Sequence, residues 1–87
     1  MTIYTIQLDA TPNQFLTTTV NGKRWEITLE TRLGNIYASF NDELYNRVCY
    51  DRQEIHSGFF FADLSGTSNP QWEGLGSRFV LCWTDEL

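Results

Sequence analysis

The chain is poor in the residue types on which most reactive sites depend: 87 residues hold two cysteines, two prolines and a single histidine. A zinc site needs about four nitrogen or sulfur ligands at close spacing, so Cys49, Cys82 and His56 are too few. Two thiols permit one disulfide at most. The opening, MTIYTIQLDATPNQ, has neither a charged leader nor an apolar one, so both cysteines are expected to be reduced, small and semi-buried. No apolar run reaches the roughly 18 residues of a helical membrane span, and synthesis as a soluble chain in the cytoplasm is expected. Basic residues are also scarce, six Lys and Arg against eleven Asp and Glu, for a net charge of −5. Residues 1–40 are balanced. The acidic excess lies beyond Asn41, where Arg47, Arg52 and Arg78 face Asp42, Glu43, Asp51, Glu54, Asp63, Glu73, Asp85 and Glu86. Nucleic acids and anionic membranes are held by clustered Lys and Arg, and no such cluster exists, so neither partner is expected.

What the chain does contain favours one small β domain over residues 1–87. Leu, Ile, Val and Phe make up about a quarter of the residues, above the roughly 20% below which disorder is expected. Val, Ile, Thr and the aromatics, which suit a pleated and half-buried surface, are abundant. A domain of this size buries only about 60 to 65% of its unfolded surface, so stability on its own is expected to be marginal.

The pattern along the chain predicts antiparallel strands joined by tight turns. Ile3 to Leu8 is a run of β formers closed by Asp9 and Pro12-Asn13. FLTTTV, residues 15–20, precedes Asn21-Gly22, the dipeptide of a type I′ hairpin turn. Trp25, Ile27 and Leu29 then alternate with Arg24, Glu26, Thr28 and Glu30, as in a half-buried strand. Leu33-Gly34-Asn35 interrupts, and Ile36, Ala38 and Phe40 alternate with Tyr37 and Ser39. After the turn at Asn41, residues 44–50 read as a strand with Leu44, Val48 and Tyr50 on one face, although one and a half helical turns would also fit. Phe59-Phe60-Phe61 cannot alternate with polar residues, so cover on both faces, or a partner, is expected. Residues 65–77 form a long, aperiodic loop, of a length usually functional or mobile. Phe79, Leu81 and Trp83 alternate in the closing strand. The reading is all-β: a small antiparallel barrel or sandwich of about six to seven short strands with one long loop.

Constellations that could carry chemistry fail on spacing. His56 and Ser57 are adjacent on a strand and point to opposite faces, so they cannot form a triad with Asp63. Glu26 and Glu30 stand roughly 13 Å apart, beyond the about 5 to 9.5 Å that glycoside hydrolysis uses. Asp63, Ser65, Thr67 and Asn69 alternate as in a calcium loop, but the acid at its end is replaced by Gly74. Gly74-Leu75-Gly76 lacks the third glycine and the helix of a dinucleotide fingerprint, and reads as a tight approach to the last strand. Trp25 and Trp83 are in phase with the core. Trp72, alone in the loop, either pins it or anchors an interface. No catalysis, cofactor or metal is expected.

Three segments, IQLDATPNQ at 6–14, TVNGKRWEITLETR at 19–32 and GFFFADLSGTSNPQWEGLGSRFVLCW at 58–83, carry a resemblance over nearly the whole chain. They resemble the cyanophage-type baseplate plug proteins of contractile-tailed phages, with GLGSRFVL the most distinctive part. This chain has Asn69 before Pro70 where the resemblance leads one to expect Asp. The resemblance implies a structural component of the virion: a small β domain in the baseplate or hub that closes the tail tube until ejection. It would be held in several copies by packing against hub or tube proteins. On that reading the candidate partner interface comprises Phe59, Phe61, Pro70, Trp72 and Leu75. A small module that captures a carbohydrate or peptide at the host surface, through Trp72, is the alternative.

Overall fold

In the computed structural model, which describes residues 3–85, every long element is a strand. Eight strands form: β1 (Ile3–Ile6), β2 (Asn13–Val20), β3 (Lys23–Arg32), β4 (Asn35–Phe40), β5 (Leu44–Val48), β6 (Glu54–His56), β7 (Phe59–Asp63) and β8 (Phe79–Thr84). They make two four-stranded antiparallel sheets, ordered β1-β8-β7-β6 and β2-β3-β4-β5, packed as a sandwich and not closed as a barrel. The expected count of six to seven falls short because β6 is only three residues long, too short to show a period.

Local turn chemistry makes the second sheet a meander. Asn21-Gly22 and Leu33-Gly34 have positive φ at both positions, as type I′ turns require, and each joins neighbouring strands in two residues. Ser57-Gly58 does the same between β6 and β7. In the first sheet the first and last strands meet: β1 pairs with β8, from Ile3 opposite Thr84 to Ile6 opposite Leu81.

The core lies between the sheets. Trp25, Ile27 and Leu29 of β3 and Ile36, Ala38 and Phe40 of β4 face Phe59 and Phe61 of β7 and Phe79, Leu81 and Trp83 of β8, all buried. The ring of Phe59 sits at 4.8 Å from that of Phe40 and 5.2 Å from that of Trp25, joining the sheets through aromatic contacts.

Residues 44–48 are a strand, but their faces differ from the simple alternation. Asn46 has φ 52° and its N–H donates to the Ser39 hydroxyl, and the pairing with β4 shifts register here. Leu44 lies opposite Phe40 while Val48 lies opposite Tyr37, so the two point to different sides. One irregular residue inverts everything after it: Cys49 is buried, and Tyr50 is exposed.

Candidate interaction surface

The two outer faces of the sandwich differ in chemistry. On the β2-β5 sheet, Arg24, Glu26, Thr28 and Glu30 of β3 point outward, as a solvated face requires. On the other sheet, the register places Phe60 opposite Cys82 and Cys82 opposite Thr5, with Ala62 opposite Val80. These outward residues, with Ile3, carry no charge. Phe60, Ala62 and Val80 are half-buried, Thr5 is exposed, and Ile3 is 52% exposed. Leu64, 64% exposed, prolongs the stripe where its N–H donates to the Arg78 carbonyl at 2.8 Å. Glu54, opposite Phe60, bounds the face at the β6 edge.

Beside this face the 64–78 segment is tied down by one buried carboxylate. Asp63 is 1% exposed, and its Oδ1 accepts from the Ser65 N–H and Arg78 Nε, its Oδ2 from the Ser68 N–H and Arg78 Nη2, all at 2.9 Å. The Arg78 guanidinium, followed by the two amides, holds the Asp63 carboxyl far below the usual carboxylate range, and Asp63 in turn raises Arg78. Arg52 adds a second tie, donating to the carbonyls of Asp63 and Gly66 at 3.0 Å. Further on, Leu75 enters the core and the half-buried Trp72 packs against it. Gly76 has φ 85°, and a Cβ there would press on the Leu8 carbonyl, so the approach to β8 depends on glycine. The loop is therefore an anchored strap with a single 3-10 turn at Trp72–Gly74.

The structure distributes the five candidate interface residues differently from the sequence reading. Phe59 and Phe61 are both 0% exposed, because β7 is an inner strand and those two rings point to the core. Pro70 and Leu75 are buried as well, and Trp72, within the strap, is half-buried against the core. None of the four buried residues offers surface to a partner while the sandwich is intact. The member of the triplet that points outward is Phe60, which is half-buried opposite Cys82. The signal was present in the pleat: if Phe61 shares the phase of the core, Phe60 must leave it.

The polar groups are arranged for structure. Glu43 accepts from Lys23 Nζ at 2.7 Å and lies 3.0 Å from His56 Nε2, which joins the β4–β5 turn to β6 across the sandwich. Lys23 and then His56 lower the Glu43 carboxyl to about 2. His56 is half-buried, and its ring packs edge-on against Trp25 at 5.7 Å. Among the described residues no hydrogen bond joins it to the Ser57 hydroxyl, and the Ser57 carbonyl accepts from Trp83 Nε1. Among these residues, too, no group of three or more His, Cys, Asp or Glu is placed to hold a metal ion. Cys49 and Cys82 are free and buried; burial pushes the Cys49 thiol to about 12 and raises Cys82. Thiols so shifted are poor nucleophiles.

The sandwich thus presents one charged outer face, one largely uncharged outer face and a strapped loop. A family model described as cyanophage baseplate Pam3 plug gp18 matches residues 3–86, and the chain belongs to that family of phage baseplate proteins. A structural role in the phage tail, among other baseplate proteins, goes with that membership. No curated protein and no solved structure matches the chain.

Proposed function

We propose that this protein acts as a stopper in the baseplate, closing the tail tube until ejection, and that it does so by packing, without turnover. The observation that carries the reading, in a chain of this family, is the uncharged outer face of the β1-β8-β7 sheet. A neighbouring hub or tube protein would cover Phe60, Ala62, Val80 and Ile3, adding apolar burial that an 87-residue domain lacks on its own. The exposed rim of the 64–78 strap flanks the same face and would widen the contact. Several copies around the tube axis would present the same patch repeatedly. Release at contraction would need only these contacts to break, since no covalent step is involved.

Phe60→Ser and Ile3→Glu test the reading together, because both side chains lie on the outer face and neither fills the core. The variants are expected to fold like the parent, by far-UV circular dichroism, and to be depleted from purified particles, by mass spectrometry. Normal incorporation of both would sink the proposed face. Particles that assemble, retain their contents and infect without the protein would sink the stopper itself.

A further inference from the structure

Strand β2 is an outer strand of its sheet, eight residues long, without charge or proline and in unbroken register with β3. Natural proteins ordinarily blunt such edges with lysine, proline or a bulge, since a row of unpaired main-chain groups is a template for another strand. Nothing blunts this one. Strand β1 does not pair with it, and a groove of about 340 Å³ between Tyr4 and Ile6 on one side and Thr18 and Val20 on the other keeps the two apart.

Hairpin geometry decides which groups are free. The two-residue turn at Asn21-Gly22 makes Val20 and Lys23 a mutually bonded pair, so Val20, Thr18, Leu16 and Gln14 direct their main-chain groups to β3. Those of Thr19, Thr17, Phe15 and Asn13 point away from the sheet. The Thr11 hydroxyl donates to the Asn13 carbonyl at 3.2 Å and closes that end. What is left open is Phe15, Thr17 and Thr19, spaced evenly about Thr17.

We infer that this edge pairs antiparallel with the same edge of a second copy of the chain, with the two-fold axis at Thr17. In that register Thr17 meets its own counterpart and Phe15 meets Thr19 of the second copy, giving about six main-chain hydrogen bonds, two from each pair. The open groups of Phe15, Thr17 and Thr19 are symmetric about one residue, so these three complement their counterparts in a second copy, as a two-fold interface demands. The row is uncharged, so a chain of net charge −5 meets itself there without placing like charges opposite one another. Aromatic with β-branched and Thr with Thr are also favourable cross-strand pairs. The two β2-β5 sheets become one continuous sheet across the dimer.

Sedimentation over a range of concentrations tests this on the full chain. The parent protein is expected to approach the dimer mass as concentration rises. Thr17→Lys, which sets two like charges face to face at the axis, is expected to stay monomeric with an unchanged circular dichroism spectrum. Mild oxidation of Thr17→Cys is expected to give a covalent dimer, because directly opposed Cα atoms lie about 5.5 Å apart, within disulfide reach. Thr19→Cys, opposite Phe15, is expected not to cross-link; the native thiols are buried and take no part. A parent that stays monomeric throughout, a dimer indifferent to Thr17→Lys, or equal cross-linking at residues 17 and 19 each overturns the inference. Phe60→Ser leaves this edge untouched, so the dimer and the baseplate contact fail separately.

Discussion

Arg78 grips both carboxylate oxygens of Asp63, Nε on Oδ1 and Nη2 on Oδ2, each at 2.9 Å, from opposite ends of the 64–78 strap. A planar guanidinium matches a carboxylate in this two-pronged way, and a lysine could not reproduce it. The same carboxylate also caps the amides of Ser65 and Ser68, so a single side chain fixes where the strap leaves β7 and where it returns to β8.

That arrangement predicts sensitivity to acid. Asp63 and Glu43 both ionise more readily in the folded protein, Asp63 through Arg78 and Glu43, at about 2, through Lys23 and His56. A carboxylate depressed by folding stabilises the native state above its unfolded pKa and loses that contribution as pH falls toward its folded one. The urea midpoint, followed by tryptophan fluorescence, is expected to hold from pH 7 to about 5 and to fall steeply below about 4.5. Asp63→Asn is expected to start lower at pH 7 and to lose less on acidification. An unchanged slope in that variant would refute the role given to the pair.

The pleat of β7 separates two neighbouring phenylalanines. Phe61 is 0% exposed in the core, so Phe61→Ala is expected to cost about 3 to 5 kcal/mol of unfolding free energy. Phe60 is half-buried on the outer face, and Phe60→Ala is expected to cost about 1 kcal/mol. Equilibrium denaturation of the two variants side by side checks the phase, and a reversed order would show it to be wrong.

Leu33 stands at the tip of the β3–β4 turn, 98% exposed and at φ 51°, a backbone region that disfavours its side chain. Leu33→Asn, which suits that region, is expected to stabilise the chain by about 0.5 to 1 kcal/mol. Thermal melts of parent and variant measure it. A lower Tm in the variant would mean that the leucine is held by a contact.

Both thiols are shielded by burial. A maleimide at neutral pH is expected to leave native Cys49 and Cys82 unmodified for as long as the fold persists, and to label both within minutes in denaturant. Rapid labelling of the native protein at Cys49 would contradict its position in the core.

Much of the meander was legible because its signals are local. Asn21-Gly22 set a hairpin, and Trp25, Ile27 and Leu29 against Arg24, Glu26 and Thr28 set the strand that follows and the face it buries. The faces of β5 were not legible, because the bulge at Asn46 shifts every later residue by one and leaves no mark in the hydrophobic pattern. Which of the three phenylalanines face the core was not legible for a related reason. A triplet of phenylalanines has no period of its own, so its phase comes only from the partner strand, where Cys82 and Leu81 alternate between the two faces.

By itself the sequence determined an all-β fold of short antiparallel strands, since turn dipeptides and alternation act through neighbours a few residues apart. The tertiary structure decided what the surface offers. Pairing between β1 and β8, the first and last strands, assembles the uncharged face, and the absence of pairing between β1 and β2 leaves an edge free. Both depend on residues distant along the chain meeting across a sheet, which no local pattern encodes.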